Sequence, residues 1–397
     1  MPRVLLLAPQ PFFQNRGTPI AVKLLLEELV ALGCRVDLLT YHEGENFSLA
    51  GVRHYRILNI PGLKNVPPSI SWKKIICNIF LFFKAHSLLR KNRYDIIHAV
   101  EESAFIAQAL KGLYGIPYIY DMDSSLAQQL VEKLKWLKPF GPLFAVFEKV
   151  VIKGAMGVVA VCRALEDIVL GYAPDSLVVR LEDISLLDHN CGGEEDLRQR
   201  YNLSAPIMLY VGNLESYQGI DLLLESFMVA RKQGAAGNLV IIGGTGESIV
   251  QYQKKAELLG IADATVFCGP RPVELLAHYL KQADILLSPR VTGNNTPMKL
   301  YSYLDSGKVV LATRLPTHTQ VLSDDFACLV DAEPEHMAAG MVRLLGDTVL
   351  RDQLGEKAKT IVEERHSRKV FREKLTSFYA EIYEKLFAQE IEERTQS

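Results

Sequence analysis

The 397-residue sequence predicts an α/β protein made of two doubly wound, parallel-sheet units in tandem, and three observations carry that prediction. Short apolar runs alternate with stretches of helical period from the first residues onward, the pattern of a parallel sheet covered on both faces. The alternation stops at a polar, glycine-containing stretch at residues 188–195 and then restarts. The length exceeds what one compact core fills and suits two domains of roughly 150–200 residues each.

Residues 4–8 read as the first strand, a continuous apolar run of the kind buried on both faces. Residues 19–32 carry apolar side chains at helical spacing, and Gly33 is placed to end that helix in a left-handed turn. Strands follow at 36–40, 95–99, 118–120 and 157–161, with helices at 103–113, 125–135 and 164–170. The second series has strands at 207–211, 239–242, 265–268, 285–288 and 309–313, and a helix at 219–232 after the first of them. This gives a Rossmann-like domain at 1–188, a second at 189–366 and a charged amphipathic helix at 367–397. Two such sheets facing each other across a cleft would bind ligands at the carboxyl ends of their strands.

With 49% hydrophobic and 23% charged residues the composition is that of an ordinary globular protein, and a net charge of −2 gives no reason to expect nucleic acid as a partner. Six cysteines are scattered without a CxxC pair, which reads as reduced thiols in the cytoplasm. The apolar run at 75–83 is far short of the roughly 18 residues of a membrane span. Charge is distributed unevenly. Residues 51–100 hold nine Lys or Arg against one acid, interleaved with Trp72, Phe80, Phe82 and Phe83. Lys133, Lys135, Trp136, Lys138 and Phe140 extend this character, whereas from residue 191 onward 23 cations face 28 acids. The basic stretch is either a solvated helical face or a surface for anionic lipid.

Four segments carry chemistry. Phe12-Phe-Gln-Asn-Arg-Gly-Thr-Pro-Ile20 joins the first strand to the first helix, with Gly17 allowing close backbone approach, Thr18 placed to cap the helix, and Arg16 suited to an anion. Ser288-Pro-Arg-Val-Thr-Gly-Asn-Asn-Thr-Pro-Met-Lys299 leaves a strand and enters a helix, with Thr296 expected as N-cap. Gly293, Asn294 and Asn295 can turn successive N–H groups into an anion nest. Lys299 falls in the first helical turn, where the dipole disfavours a cation, and a bound diphosphate would compensate it; Arg290 adds a second charge. Tyr210-Val-Gly-Asn-Leu-Glu-Ser-Tyr-Gln-Gly-Ile220 supplies Asn213, Glu215 and Gln218 where nucleotide phosphates bind in such sheets. Leu239-Val-Ile-Ile-Gly-Gly-Thr-Gly-Glu247 is a strand running into a glycine-rich turn at Gly244.

Together these segments resemble the retaining GT-B glycosyltransferases of glycosyltransferase family 4, or group 1. The likeness covers nearly the whole chain, including Asp95-Ile-Ile-His98, Val161-Cys-Arg163 and the C-terminal helix. It implies GT-B architecture and sugar transfer from an NDP-sugar with retention, without a metal or other cofactor. The donor would lie in the second domain and the acceptor in the first. Donor-side residues are then Gly17, Thr18, Asn213, Glu215, Gln218, Gly244, Arg290, Asn294, Asn295, Thr296 and Lys299. On the acceptor side His98, Glu101, Glu102, Asp121 and Asp123 cluster at strand ends, and of these His98, Glu101, Asp121 and Asp123 are the catalytic candidates. Asp121-Met-Asp123 has the spelling of a metal-binding DxD in the other architecture, where contact with sugar or acceptor is the expectation here.

The sequence departs from the family pattern. An Arg and a Lys usual on the diphosphate are Asn213 and Gln218, and the usual Glu-x7-Glu pair falls on Asn294 and Ser302. Arg290, Lys299 and the nest would take over the phosphates in such a diverged branch. With the basic first domain, the expectation is a lipid-linked or glycan acceptor in cell-envelope polysaccharide or glycolipid synthesis. The enzyme would be cytoplasmic, on an anionic membrane surface at its inner face. A nucleotide-sugar epimerase, a hydrolase, and a non-catalytic GT-B-fold binding partner stay open as alternatives.

Overall fold

A computed structural model describes residues 2–14, 17–59, 61–67, 71–133, 135–189, 192–293 and 295–396, with the backbone alone at 132–133, 135–137 and 389–396. Arg16 and Asn294 therefore lie outside the described residues, as do the side chains of Lys133, Lys135 and Trp136. The chain forms two compact units, Met1–Glu182 with Phe371–Ser397, and Asp183–Val370. The sequence seams at 188/189 and 366/367 lie a few residues from these changeovers, and the C-terminal helix Arg368–Gln396 is part of the first unit from Phe371 on.

The first unit holds β1 (Arg3–Ala8), β2 (Arg35–Thr40), β3 (Val52–Arg56), β4 (Ile96–Val100), β5 (Tyr118–Met122), β6 (Gly157–Ala160) and β7 (Val178–Arg180). They form a fully parallel sheet in the order β3-β2-β1-β4-β5-β6-β7. Residues 4–8 are completely buried, as a strand covered on both faces requires. Leu5, Leu7, Ile97, Ala99, Tyr118 and Tyr120 point to one side, at the two-residue period of a strand, into the core beneath the helices Trp72–Lys91, Ser103–Tyr114 and Gly141–Gly154. At Gly157 the C-terminal helix comes so close that an added Cβ would lie 2.7 Å from Phe378.

The second unit holds β8 (Ile207–Val211), β9 (Asn238–Ile242), β10 (Thr265–Gly269), β11 (Ile285–Ser288), β12 (Val309–Thr313) and β13 (Cys328–Val330), parallel in the order β10-β9-β8-β11-β12-β13. In each sheet the order reverses beside the first strand of the unit, between β1 and β4 and between β8 and β11. Loops leaving the carboxyl ends of strands at such a point diverge and open a crevice.

Three strands are absent from the sequence reading: β3, β7 and β13. All lie at sheet edges; β3 is Val-Arg-His-Tyr-Arg and none of its residues is fully buried, while the others have three residues each. Edge strands of this kind lack the doubly buried apolar run that marks a central strand. Two caps also differ. The first helix begins at Gly17, so Thr18 lies inside its first turn instead of capping it. The helix after β11 begins at Lys299 behind Met298, so Thr296 is not its N-cap.

Candidate active site

In the second unit the loops after β8, β11 and β12 converge. Lys299 reaches back under the end of β8, its Nζ 4.0 Å from the Tyr210 ring centre and donating to Gln218 Oε1 at 3.3 Å. Arg290 lies with its guanidinium 5.0 Å from the Tyr217 ring centre and donates to the Asn295 carbonyl at 2.7 Å and to Thr317 Oγ1 at 2.8 Å. Asn213 Nδ2 touches the Tyr217 hydroxyl at 3.4 Å. Asn213, Gln218, Arg290, Asn295 and Lys299 are thus gathered around two tyrosines.

The electrostatics of this group are unbalanced. Among the described residues neither Arg290 nor Lys299 makes an ion pair with a carboxylate. Burial pushes Lys299 well below the ordinary lysine range, and repulsion from Arg290 adds to it; burial lowers Arg290 too. Among the described residues, Arg290 Nε and Thr296 Oγ1 are buried without a hydrogen-bond partner. Unsatisfied buried donors cost free energy, and an oxyanion would meet both that need and the missing charge. His318, held neutral by burial with a pKa down to about 4, completes the floor with Nε2 2.9 Å from Ser288 Oγ.

The remaining donor-side candidates are spread more widely. Glu215 is exposed, its N–H donating to Asn213 Oδ1 at 3.3 Å. At the neighbouring turn Gly243 has φ +117°, and a Cβ there would fall 2.0 Å from the Gly212 carbonyl oxygen, so these two turns touch by backbone alone. Gly244 packs its α-carbon against Leu214. Of the proposed nest, Gly293 has φ +122°, the left-handed side that such a turn uses, while Asn294 lies outside the described residues. Ser302, at the second Glu position of the family pattern, is buried and accepts from the Leu186 N–H at 3.0 Å.

In the first unit a second cluster sits at the ends of β4 and β5. Glu101 adopts φ +50°, a left-handed conformation that costs a glutamate on the order of 1 kcal/mol. That turn brings its carboxylate 3.4 Å from Thr18 Oγ1, which donates to it, and 3.5 Å from Lys74 Nζ. Lys74 also lies 2.8 Å from Glu102, and Asn78 Nδ2 donates to Glu102 at 3.2 Å. Burial opposes charge on Lys74, but the two carboxylates more than offset it and hold its pKa above the ordinary value. Burial likewise raises Glu101, with Lys74 pulling it partly back. Counted with the basic surface on sequence grounds, Lys74 is instead buried in this cluster. Gly17 is exposed at the start of the same first helix, one residue from Thr18.

His98 is fully buried on β4, its Nδ1 2.7 Å from the Tyr379 hydroxyl and its Nε2 3.3 Å from Asp121 Oδ2. Ionised Asp121 only accepts, so in a neutral ring Nε2–H donates to it and Tyr379 donates to Nδ1. Asp123 follows β5 as a half-buried residue. Among the described residues no group of three or more His, Cys, Asp or Glu side chains is arranged to hold a metal ion. Sequence reasoning missed Tyr210, Tyr217, Thr317 and His318, which become neighbours only through the strand order, and Tyr379, which is 281 residues from His98.

The sequence family described as glycosyl transferases group 1 matches residues 194–361, and glycosyltransferase family 4 matches residues 16–179. The D-inositol 3-phosphate glycosyltransferase of Corynebacterium diphtheriae is 24% identical over 85% of this chain and 84% of its own. Among solved structures, sucrose-phosphate synthase from Thermosynechococcus elongatus superposes with a TM-score of 0.78 at 18% identity, covering 96% of this chain and 99% of that one. Anabaena HepE, determined with UDP and glucose, gives 0.73 at 13% identity over 96% of this chain and all (100%) of its own. Two parallel Rossmann-like sheets with these likenesses define a glycosyltransferase of GT-B architecture. Both halves of the chain match, and it belongs to the group 1 glycosyltransferases with a family 4 N-terminal half.

Proposed function

We propose that the chain transfers a hexosyl group from an NDP-sugar to a lipid-linked or glycan acceptor, with retention at the anomeric carbon. It does so in cell-envelope polysaccharide or glycolipid synthesis, on the cytoplasmic side of the membrane. The observation that carries this reading is the Arg290–Lys299 pair: two half-buried cations without a carboxylate, over the turns of β8 and β11. Glycosyl transfer builds oxocarbenium character on the sugar while negative charge grows on the leaving diphosphate. Fixed cations aimed at that charge stabilise the transition state more than the ground state. Lys299 and Arg290 take this part, and Thr296 Oγ1 is free to donate beside them. No metal is required, because these side chains meet the charge that Mg²⁺ or Mn²⁺ would otherwise meet.

In the first unit, Glu101 is the group suited to hold a proton during transfer, since burial raises its pKa and Lys74 keeps it oriented. The His98–Asp121 contact, fixed by Tyr379, orients Asp121 at the end of β5; Asp123 is placed to contact sugar or acceptor.

The test is a thermal-shift panel of UDP-, GDP- and ADP-sugars, since a ligand of the native state raises its apparent stability. Turnover with the best donor follows, and the product anomer is read by NMR. A transferase releases NDP only when acceptor is present. Interconversion of the sugar with little NDP release would make it an epimerase, NDP release to water a hydrolase, and binding without turnover a non-catalytic partner. An inverted product would remove the retaining assignment.

A further inference from the structure

Three helices of the first unit, Trp72–Lys91, Ser103–Tyr114 and Gly141–Gly154, pack side by side in that order. Their inner sides are ordinary core, with Cys77, Leu81, Ala107, Leu110, Val151 and Ile152 buried. Their outer sides are not ordinary. Trp72, Ile75, Ile79 and Phe83 are 62%, 58%, 51% and 61% exposed and follow one line down the first helix at spacings of three and four residues. Leu143, Val146, Phe147 and Val150 make a second line on the third helix, each at least half exposed, and Leu113 stands on the helix between them. Single exposed apolar residues need no explanation, but two aligned stripes on neighbouring helices do.

The charges on these helices are one-sided. They carry eight Lys or Arg and a single acid, Glu148. Glu148 is buried and accepts from Ser125, and no exposed carboxylate remains on the three helices. Lys74 and Lys111 are engaged inward, the latter on the Gly154 carbonyl, which leaves Lys84, Arg90, Lys91, Lys149 and Lys153 around the stripes, with Lys73 beside them on the Lys64 carbonyl. A second copy of the chain is a poor occupant, because pairing this face with itself would set cation against cation. A polyphosphate chain would use the cations but leave both apolar stripes facing water. Apolar stripes rimmed by cations match a layer whose outside is anionic and whose inside is hydrocarbon.

We infer that this three-helix face docks on an anionic lipid bilayer, with the Trp72 and Phe147 stripes entering the boundary between headgroups and acyl chains. This deepens the membrane-side reading given above and rests on it for its purpose, though it is measured without either substrate. No helix among the described residues is long and apolar enough to cross a membrane, so the attachment is peripheral at this face.

The sequence contains two tryptophans, and Trp136→Phe leaves Trp72 as the only one. The full-length Trp136→Phe chain is titrated with vesicles of phosphatidylglycerol and phosphatidylcholine in equal parts, and with phosphatidylcholine alone. Docking predicts a blue shift of Trp72 emission with the anionic vesicles, quenched by bromine-labelled acyl chains. Salt should weaken binding without removing the shift of the bound fraction. Phe83→Ser with Phe147→Ser should lower partitioning by more than about tenfold, because each loses a buried aromatic side chain's worth of transfer. Unshifted Trp72 emission in protein that sediments with vesicles would overturn the inserted face. So would a shift that needs no vesicles and grows with protein concentration, which would identify a second copy as the occupant. Donor-dependent NDP release to a soluble acceptor, measured on the same variants, separates a failure of docking from a failure of the transferase reading. The Ser variants are compared only when their unfolding temperature matches wild type, with Phe83→Leu and Phe147→Leu expected to restore binding.

Discussion

Replacing Lys299 by methionine should separate two properties that normally fall together. In the unliganded protein the ammonium is buried against Tyr210, has Gln218 as its hydrogen-bond partner, and is repelled by Arg290. Removing a buried cation that has no carboxylate is neutral or favourable for the fold, on the order of 1 kcal/mol, when the replacement fills the same space. For a unit of this size that corresponds to roughly 2–4 °C in unfolding temperature. The sign with pH follows from the depressed pKa. The unfolded lysine keeps its proton to about pH 10.4, so wild-type stability gains from this site as pH rises above the folded pKa, and Lys299→Met lacks that gain. Donor binding should move the other way. A charge-assisted contact to phosphate contributes about 1.5–3 kcal/mol, so the variant should bind the preferred NDP-sugar about 10- to 150-fold more weakly. Differential scanning fluorimetry and calorimetric titration on the same preparation give both numbers. Unchanged donor affinity, or a large loss of stability with affinity intact, would show that Lys299 is a structural residue and not a phosphate ligand.

Donor affinity should also fall as pH rises through the free-state pKa of Lys299, by up to about tenfold per pH unit, because bound diphosphate must recharge the amine; titration in buffers of different ionisation enthalpy should show proton uptake that Lys299→Met abolishes. Arg290→Ala should weaken donor binding by a similar 10- to 150-fold, about 1.5–3 kcal/mol, while Thr317 keeps its own bond to the Asn295 carbonyl. Turnover should survive EDTA, and complete loss reversed by Mg²⁺ or Mn²⁺ would instead give Asp121 and Asp123 the central role. Gly243→Ala should destabilise the second unit by about 1–3 kcal/mol or more, since φ is +117° and its methyl would sit 2.0 Å from the Gly212 carbonyl oxygen; an unchanged melting curve would mean that the two turns can separate freely.

The central strands were legible because they are buried on both faces: 207–211, 285–288 and 309–313 coincide with β8, β11 and β12, and 239–242 and 265–268 fall within one residue of β9 and β10. The edges were not, since β3 alternates charge with half-buried residues and β7 and β13 are too short to show a period. The loops after β8 and β11 are marked in the sequence by glycine and proline punctuation, but their internal geometry is not. Thr296 has a capping residue's spelling and lies before a Pro, yet a further tight turn at Pro297 and Met298 delays the helix to Lys299. Lys74 reads as one cation among nine until the helix Trp72–Lys91 is wound, whereupon it alone of its neighbours Lys73, Lys74 and Lys84 turns to Glu101 and Glu102. Tyr379 carries no local signal at all, because its partner His98 is set by the path of the chain and not by spacing.

That path has a consequence for the order in which the protein can form. The residues of the second unit are contiguous, Asp183–Val370, so everything it needs has been synthesised before the last stretch of chain appears. The first unit, although begun first, waits for residues from Phe371 onward to bring Tyr379 to His98, Phe378 to Gly157, and Arg372 to the buried Glu28 carboxylate at 2.5 Å. An emerging N-terminal half therefore holds an open seam along its sheet, and lacks the Arg372 contact to Glu28, until residues from Phe371 onward appear. A chain cut after residue 370 would keep that seam for its lifetime, exposing it to holding chaperones and proteases while its other half is already complete.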